Sequence, residues 1–335
     1  MAQLFGDRWR VVGQLPEGGQ GHVFIVEDAT NEIRQALVLK RLKDPNRISR
    51  FKREIEQTTR LNHPNILRVF DANLDAPKPY LVTEFCTGGS LTYKRDADAL
   101  DLLRRYLQIC EALKYAHEQG VIHRDVKPEN IFVREPSHDL VIGDFGICHV
   151  EDGEQITVLD DVMGPKFFAC PEVRDGKPER LSPSCDIYSI GKVLHFMFTG
   201  RRIDRENFRD DRNDLSRREG GYFLEHVNNL LARMITERDG DRLQRMSEVV
   251  AGVKEVIHLI EGRYNPLSHE QGCRYCGNGV YRAVPRSSFG YFGLRSDSQA
   301  LHALQCSNCG NVQTFFLNDH VKEAKWLPNL GLTSK

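Results

Sequence analysis

Two short runs near the C-terminal end, Cys273-Arg274-Tyr275-Cys276-Gly277 and Cys306-Ser307-Asn308-Cys309-Gly310, repeat one pattern. In each, two thiols three positions apart can turn toward a single ion, and the glycine relieves the backbone behind them. Together they offer four sulfurs, the donor set of a closed tetrahedral Zn²⁺ site. A redox pair would not require the duplicated turn, whereas a rubredoxin-type iron centre would use the same four residues. Cys86, Cys110, Cys148, Cys170 and Cys185 are scattered singly, giving nine cysteines in all. That odd total argues against a disulfide framework.

A second constellation lies mid-chain. His123-Arg124-Asp125-Val126-Lys127-Pro128-Glu129-Asn130 places an acid, a lysine and an amide close together, and Asp144-Phe145-Gly146 follows. Both runs resemble the catalytic loop and the Asp-Phe-Gly turn of the protein kinase family. The resemblance implies that Asp125 accepts or orients the proton of an attacking hydroxyl. It makes Asn130 and Asp144 oxygen ligands of Mg²⁺ and sets Lys127 against the charge of the transferring phosphoryl group. A lysine at this place is typical of serine/threonine members, and the whole pattern is similar to the bacterial-type (Hanks-type) branch.

Upstream residues extend the resemblance to ATP. Lys40, at the end of Leu37-Val38-Leu39-Lys40, stands where the family grips the α- and β-phosphates. Glu54 shares a helix face with Phe51 and Ile55, so it either points inward to pair with Lys40 or is a solvated residue beside Arg53 and Glu56. Pro16-Glu17-Gly18-Gly19-Gln20-Gly21-His22-Val23 is similar to the glycine-rich phosphate loop, with Pro16 in place of its first glycine. Gly18, Gly19 and Gly21 still permit close backbone approach, while proline removes one N–H donor. Leu15, Val23, Val38 and Phe132 are expected around the adenine ring, with Thr83 as gatekeeper and Glu84 and Cys86 in the hinge.

Downstream, Cys170-Pro171-Glu172 resembles the Ala-Pro-Glu that closes the activation segment. Asp186 matches the acid that braces the catalytic loop, and Arg242 the arginine that pairs with Glu172. Pro165 occupies the place of a Ser or Thr that bonds the catalytic Asp and Lys in serine/threonine members, which bears on substrate positioning. Thr157 has two readings. It is a phosphorylation site whose phosphate pairs with Arg124, or an ordinary β-branched residue between Ile156 and Val158.

These residues need a scaffold. Apolar runs predict strands over 9–15, 22–27, 36–40, 66–70 and 80–85, with a helix over 47–61 among them. Beyond Gly88-Gly89 the spacing turns helical. Leu103, Leu107, Cys110, Leu113 and His117 mark one face of a long helix, followed by strands at 131–133 and 140–142. Helices follow over 186–199, 222–235 and 246–261. The fold class expected is α+β: a two-lobed kinase fold with a small β-rich N-lobe and a larger helical C-lobe, followed by a small zinc-ribbon-like β domain. The boundaries expected are 9–262 for the catalytic domain, 268–318 for the ribbon, with strands at 280–284 and 311–317, and 319–335 for a tail. The charged stretch 201–218 reads as a solvated loop.

Composition excludes little but points one way. Of the 335 residues, 40% are hydrophobic and 28% charged, with a formal net charge of -1, which gives no general attraction to nucleic acid or anionic membrane. The absence of a leader-like apolar run at the start and of a spanning segment predicts a cytoplasmic protein. Between Cys273 and Cys309 four arginines (Arg274, Arg282, Arg286, Arg295) and one acid are interleaved with Tyr275, Tyr281, Phe289, Tyr291 and Phe292. That pattern permits nucleic-acid binding by phosphate contact and stacking. Small ribbons also dock proteins, and their aromatics often build the core, which puts docking or regulation first. The expected activity is transfer of the γ-phosphate of Mg-ATP to a protein hydroxyl. The alternatives are a nucleotide-binding scaffold that signals by conformation, and a zinc-dependent nucleic-acid or partner binder regulated by the kinase domain.

Overall fold

Side-chain alternation builds the N-terminal sheet from β1 (Leu4–Phe5), β2 (Trp9–Gln14), β3 (Gly21–Asp28), β4 (Leu37–Leu42), β5 (Val69–Asn73) and β6 (Tyr80–Glu84). Their order is β1-β2-β3-β4-β6-β5, every pair antiparallel. One face buries Trp9, Phe24, Val26, Leu37, Leu39, Tyr80 and Val82 together. The other sets Leu81 against Phe51 and Ile55 of helix α1 (Ile48–Arg60). Because neighbours along a strand point to opposite faces, Lys40, paired with Leu81, shares the face that α1 covers.

The computed structural model describes residues 4–16, 21–44, 48–95, 97–145, 167–176, 181–218, 221–261, 281–283, 300–306, 312–317 and 324–326. Contacts divide the chain into Met1–Glu206 with Arg233–Val250, and Asn207–Ala232 with Ala251–Lys335.

In the first unit the sheet is followed by α2 (Ala99–Glu118), the hairpin β7 (Ile131–Arg134) and β8 (Asp139–Ile142), α3 (Pro171–Arg174) and α4 (Pro183–Thr199). Asp98 caps α2 by accepting from the Asp101 N–H at 3.0 Å. The expected stripe on α2 was too narrow. Tyr106, Ile109, Ala112 and Ala116 are buried with Leu103, Cys110 and Leu113, while Leu107 and His117 are only partly covered. The helix has two partners: Gln108 hydrogen-bonds Asp139 and the Leu140 N–H of the hairpin, and Tyr106 Oη donates to the Ile190 carbonyl of α4.

Helix α4 is buried on all sides from Ser184 to His195, as expected of a helix in the middle of a core. Ser182 caps it, Pro183 fits its first turn and Gly200 ends it at φ 68°. A side chain at Gly191 would press on Met234 and Ile235 at 3.0 Å. The strand expected over 66–70 starts later, because Ile66 and Leu67 bridge down to Ile142 of β8 instead.

The second unit contains most of α5 (Gly221–Met234), the end of α6 (Met246–Ile260) and a four-stranded antiparallel sheet. The stretch read as a solvated loop is partly a packed element. Phe208 and Leu215 are buried in this unit, and Arg209 pairs with Glu225 at 2.9 Å and Asp214 at 3.4 Å. The sheet order is β12 (Ala324–Trp326), β11 (Val312–Leu317), β10 (Ala300–Cys306), β9 (Tyr281–Ala283). Strands β9 and β11 fall where the pattern predicts them; β10 was not expected, and β12 lies within the stretch read as a tail. No helix among the described residues is long and apolar enough to cross a membrane.

Candidate active site

The site forms where β4, α1 and the turns around β7 and β8 meet. On α1, Phe51, Glu54, Ile55 and Thr58 recur at helical spacing, and all four are buried, which carries the Glu54 carboxylate inward. Lys40 Nζ donates to Glu54 Oε1 at 2.8 Å and to Asp144 Oδ1 at 3.0 Å. Burial opposes the Lys40 charge, but the carboxylates of Asp144 and Glu54 outweigh it and hold the ammonium above its ordinary value. Burial raises Glu54 in spite of Lys40, whereas at Asp144 the attraction of Lys40 overcomes burial and lowers it. One lysine thus ties the sheet, the helix and the turn after β8 together.

The second cluster is local. Asp125 Oδ2 accepts from Lys127 Nζ at 2.8 Å and from Asn130 Nδ2 at 3.0 Å, and the same amide nitrogen donates to the Asp125 carbonyl at 2.8 Å. With its nitrogen so committed, Asn130 turns its amide oxygen elsewhere, as a hard oxygen donor. Asp125 and Lys127 side chains are each 17% exposed, so the cluster sits at a surface open to a reactant.

The loop between these groups is braced from below. Asp186 Oδ2 accepts from the His123 N–H at 2.8 Å, Oδ1 from the Arg124 N–H at 2.7 Å, and His117 Nε2 lies 2.8 Å from Oδ2. Burial would raise the Asp186 carboxyl, but His117 and these donors hold it below the ordinary value. Arg124 and Asp144 adopt φ of 70° and 62°, conformations that side chains rarely take and that each cost about 1–3 kcal/mol. Surrounding contacts keep them there: His123 Nε2 lies 2.8 Å from the Gly143 carbonyl, and its ring is tilted against Phe145 with centroids 4.5 Å apart.

The adenine-side residues line up along the sheet. Val38 pairs with Thr83, Val23 with Lys40, and the Leu15 N–H donates to Val23 at 2.9 Å. A side chain on Gly21 would strike the Arg41 carbonyl. Phe132 lies on β7 beside Gly143. The Glu84 carboxylate is taken by Arg134, at 2.9 Å, and its N–H by the Arg68 carbonyl, at 3.0 Å, which leaves its own carbonyl to face a ligand. Cys86 is packed, its thiol pushed up to about 12 by burial. Further down, Arg242 bonds Glu172 at 3.1 and 3.3 Å in a buried pair.

Gly18, Gly19, Gly146, Thr157, Pro165, Cys273, Cys276 and Cys309 lie outside the described residues. Cys306 ends β10 opposite Tyr281. Three partners were missed in the sequence: Arg134 for Glu84, His117 for Asp186, and Lys192, a cation 2% exposed within α4. Only Lys192 left a trace, as a lone charge in the apolar run Ile190-Gly191-Lys192-Val193-Leu194.

The protein kinase domain family matches residues 9–258, and the chain belongs to that family. It is 29% identical over 283 residues to the serine/threonine-protein kinase PknB of Mycolicibacterium smegmatis, covering 78% of this chain and 44% of that protein. Similarity to PknA of Mycobacterium tuberculosis is 35% over 212 residues, 58% of this chain and 47% of that one. The chain spans less than half the length of these curated relatives. The crystal structure of the Mycobacterium tuberculosis PknI kinase domain superposes with a TM-score of 0.57 at 22% identity, covering 76% of this chain and 99% of that one. The likeness is one of fold.

Proposed function

We propose that this chain is a serine/threonine protein kinase that transfers the γ-phosphate of ATP to a protein hydroxyl. The observation that carries the reading is the pairing of Lys40 with both Glu54 and Asp144 beside the Asp125–Lys127–Asn130 cluster. In this reading Lys40, held in place by Glu54, receives the α- and β-phosphates. Leu15, Val23, Val38, Thr83 and Phe132 enclose the purine, with main-chain groups of Glu84 and Cys86 at its edge. Gly18, Gly19 and Gly21 belong to the loop over the phosphates.

Asp125 takes or orients the proton of the acceptor hydroxyl, and Lys127 balances charge on the group in flight. The Asn130 amide oxygen and the Asp144 carboxylate form a hard-oxygen pair that fits Mg²⁺. Mg²⁺, when bound, neutralises charge on the phosphate oxygens.

The serine/threonine assignment rests on Lys127 and on the names of the relatives. Phosphoamino-acid analysis of a general protein substrate labelled by this chain tests it. Phosphoserine and phosphothreonine are expected; phosphotyrosine alone would overturn it.

The four cysteines are proposed to hold a structural Zn²⁺ in a ribbon that docks a protein partner or regulates the kinase domain, in a cytoplasmic protein. Strand register supports the metal reading. Cys306, the last residue of β10, stands opposite Tyr281, the first residue of β9, and Cys276 lies only five positions before Tyr281. Both knuckles therefore adjoin the same end of that strand pair in the chain. Chelation that releases one zinc per chain, with none retained by Cys306→Ser, is the expected result.

A further inference from the structure

Two thiols outside the phosphotransfer cluster face each other deep in the first unit. Cys170 is the cap of α3, directly before Pro171 and Glu172, and Cys185 lies in the first turn of α4, directly before Asp186. Each is 1% exposed. Their sulfurs and a Glu172 carboxylate oxygen all lie within 4.8 Å of one another, and the Cys185 S–H donates to Glu172 Oε2 at 3.6 Å.

Two thiols and a carboxylate at this spacing suggest a metal, but the carboxylate is already committed. Arg242 bonds both of its oxygens, and that guanidinium is itself buried. Drawing Glu172 onto a cation would leave the arginine without its partner in a low-dielectric site. The chemistry open to the two thiols is with each other.

We propose that Cys170 and Cys185 are a redox modification site, joined by a hydroperoxide into a disulfide that ties the end of the activation segment to helix α4. One thiolate attacks a peroxide oxygen; the O–O bond breaks, an alcohol or water leaves, and a sulfenic acid remains. The second thiolate attacks that sulfur, the S–O bond breaks, and the hydroxyl leaves as water with the second proton. The two thiols lose two electrons and the peroxide gains them. Cys185 is the first attacker, its proton passing to water when the site opens, because Glu172 stays paired with Arg242. The hydrogen bond with Cys185, and then burial, hold the Cys170 thiol well above its ordinary value. Because both sulfurs are buried, oxidation proceeds through local opening and is slower than at exposed thiols.

The consequence for activity rests on the kinase reading; the disulfide does not. Closing the sulfurs to bonding distance, about 2 Å, displaces the first turn of α4, where neighbouring Asp186 holds the His123 and Arg124 N–H groups. Phosphotransfer falls as the catalytic loop loses that brace.

The test is hydrogen peroxide treatment of the full chain, alkylation of remaining thiols, non-reducing tryptic digestion and mass spectrometry. Peptides 167–174 and 181–192 should appear linked, and separate after dithiothreitol. They should stay unlinked in Cys170→Ala and in Cys185→Ser. Transfer activity should fall several-fold on oxidation and recover on reduction, while Cys170→Ala keeps its untreated activity and does not respond. Alkylated, unlinked Cys170 and Cys185 in oxidised wild type would overturn the proposal. So would loss of one zinc per chain in Cys170→Ala without a linked peptide in wild type. A linked peptide in a chain that transfers no phosphate in either state would uphold the modification site and refute the kinase reading instead.

Discussion

The ammonium of Lys192 donates to the main-chain carbonyl of Phe167 at 2.5 Å. The same group pairs with Asp204 at 3.1 Å and lies 4.2 Å from the centre of the Phe167 ring. Burial lowers its affinity for a proton even so. A buried cation is costly unless it is paired, and this one spans from the middle of α4 to the stretch just before Cys170-Pro171-Glu172. It fixes the place where, by the kinase reading, a protein substrate rests.

Lys192→Met should therefore keep the fold, since Asp204 is 43% exposed and can be solvated. The KM for protein substrate should rise several-fold with the KM for ATP unchanged. Steady-state kinetics with each substrate varied in turn would check this. Equal effects on both would assign Lys192 to the fold alone.

Glu54→Gln keeps the shape of α1 but removes the charge that holds Lys40 from the helix side. Losing a hydrogen bond between charged groups costs about 1.5–3 kcal/mol, so the thermal midpoint should fall by roughly 3–12 °C, and kcat should fall about 10- to 100-fold as Lys40 loses its hold. An unchanged kcat would show that Asp144 alone suffices to hold Lys40.

Asp186 sets a pH dependence whose sign follows from its lowered value in the folded chain. Its contribution to stability is fully present above about pH 4, the ordinary carboxyl range, and is lost as pH falls through the lower folded value. Thermal melts from pH 7 downward should show an acid limb that Asp186→Asn flattens. An identical limb in the variant would place the titration elsewhere.

Arg242→Met strands the buried Glu172 carboxylate. Breaking a buried pair from one side typically costs about 3–5 kcal/mol, so a denaturant midpoint well below wild type is expected. Replacing both partners by Met and Leu should recover much of the loss. A double variant as weak as the single one would mean that packing, and not the stranded charge, dominates.

Much of the site was legible because its groups are close in sequence. Asp125, Lys127 and Asn130 are neighbours, and Glu54 announced itself by falling on the Phe51–Ile55 stripe. Strand alternation likewise located β2, β3, β4 and β6. What the residue pattern could not carry was long-range partnership. Nothing near Glu84 points to Arg134, fifty positions away, and Ile66 reads as a strand residue until β8 captures it. Strand β10, Ala300-Leu301-His302-Ala303-Leu304-Gln305-Cys306, has no β-branched residue, so its pairing with β11 rather than its own propensity makes it a strand. Ile203, Phe208 and Leu215 were hidden among charges that suggested a solvated loop.

The proposed transfer depends on Asp125 more than on any other side chain. Radiolabelled ATP with Mg²⁺ and a general protein substrate should give label transfer by wild type and at most about one-hundredth of it by Asp125→Asn, the loss expected for a positioned proton acceptor. Both proteins should bind ATP equally in a direct binding measurement. Transfer by wild type no greater than by Asp125→Asn, with ATP bound to both, would contradict it.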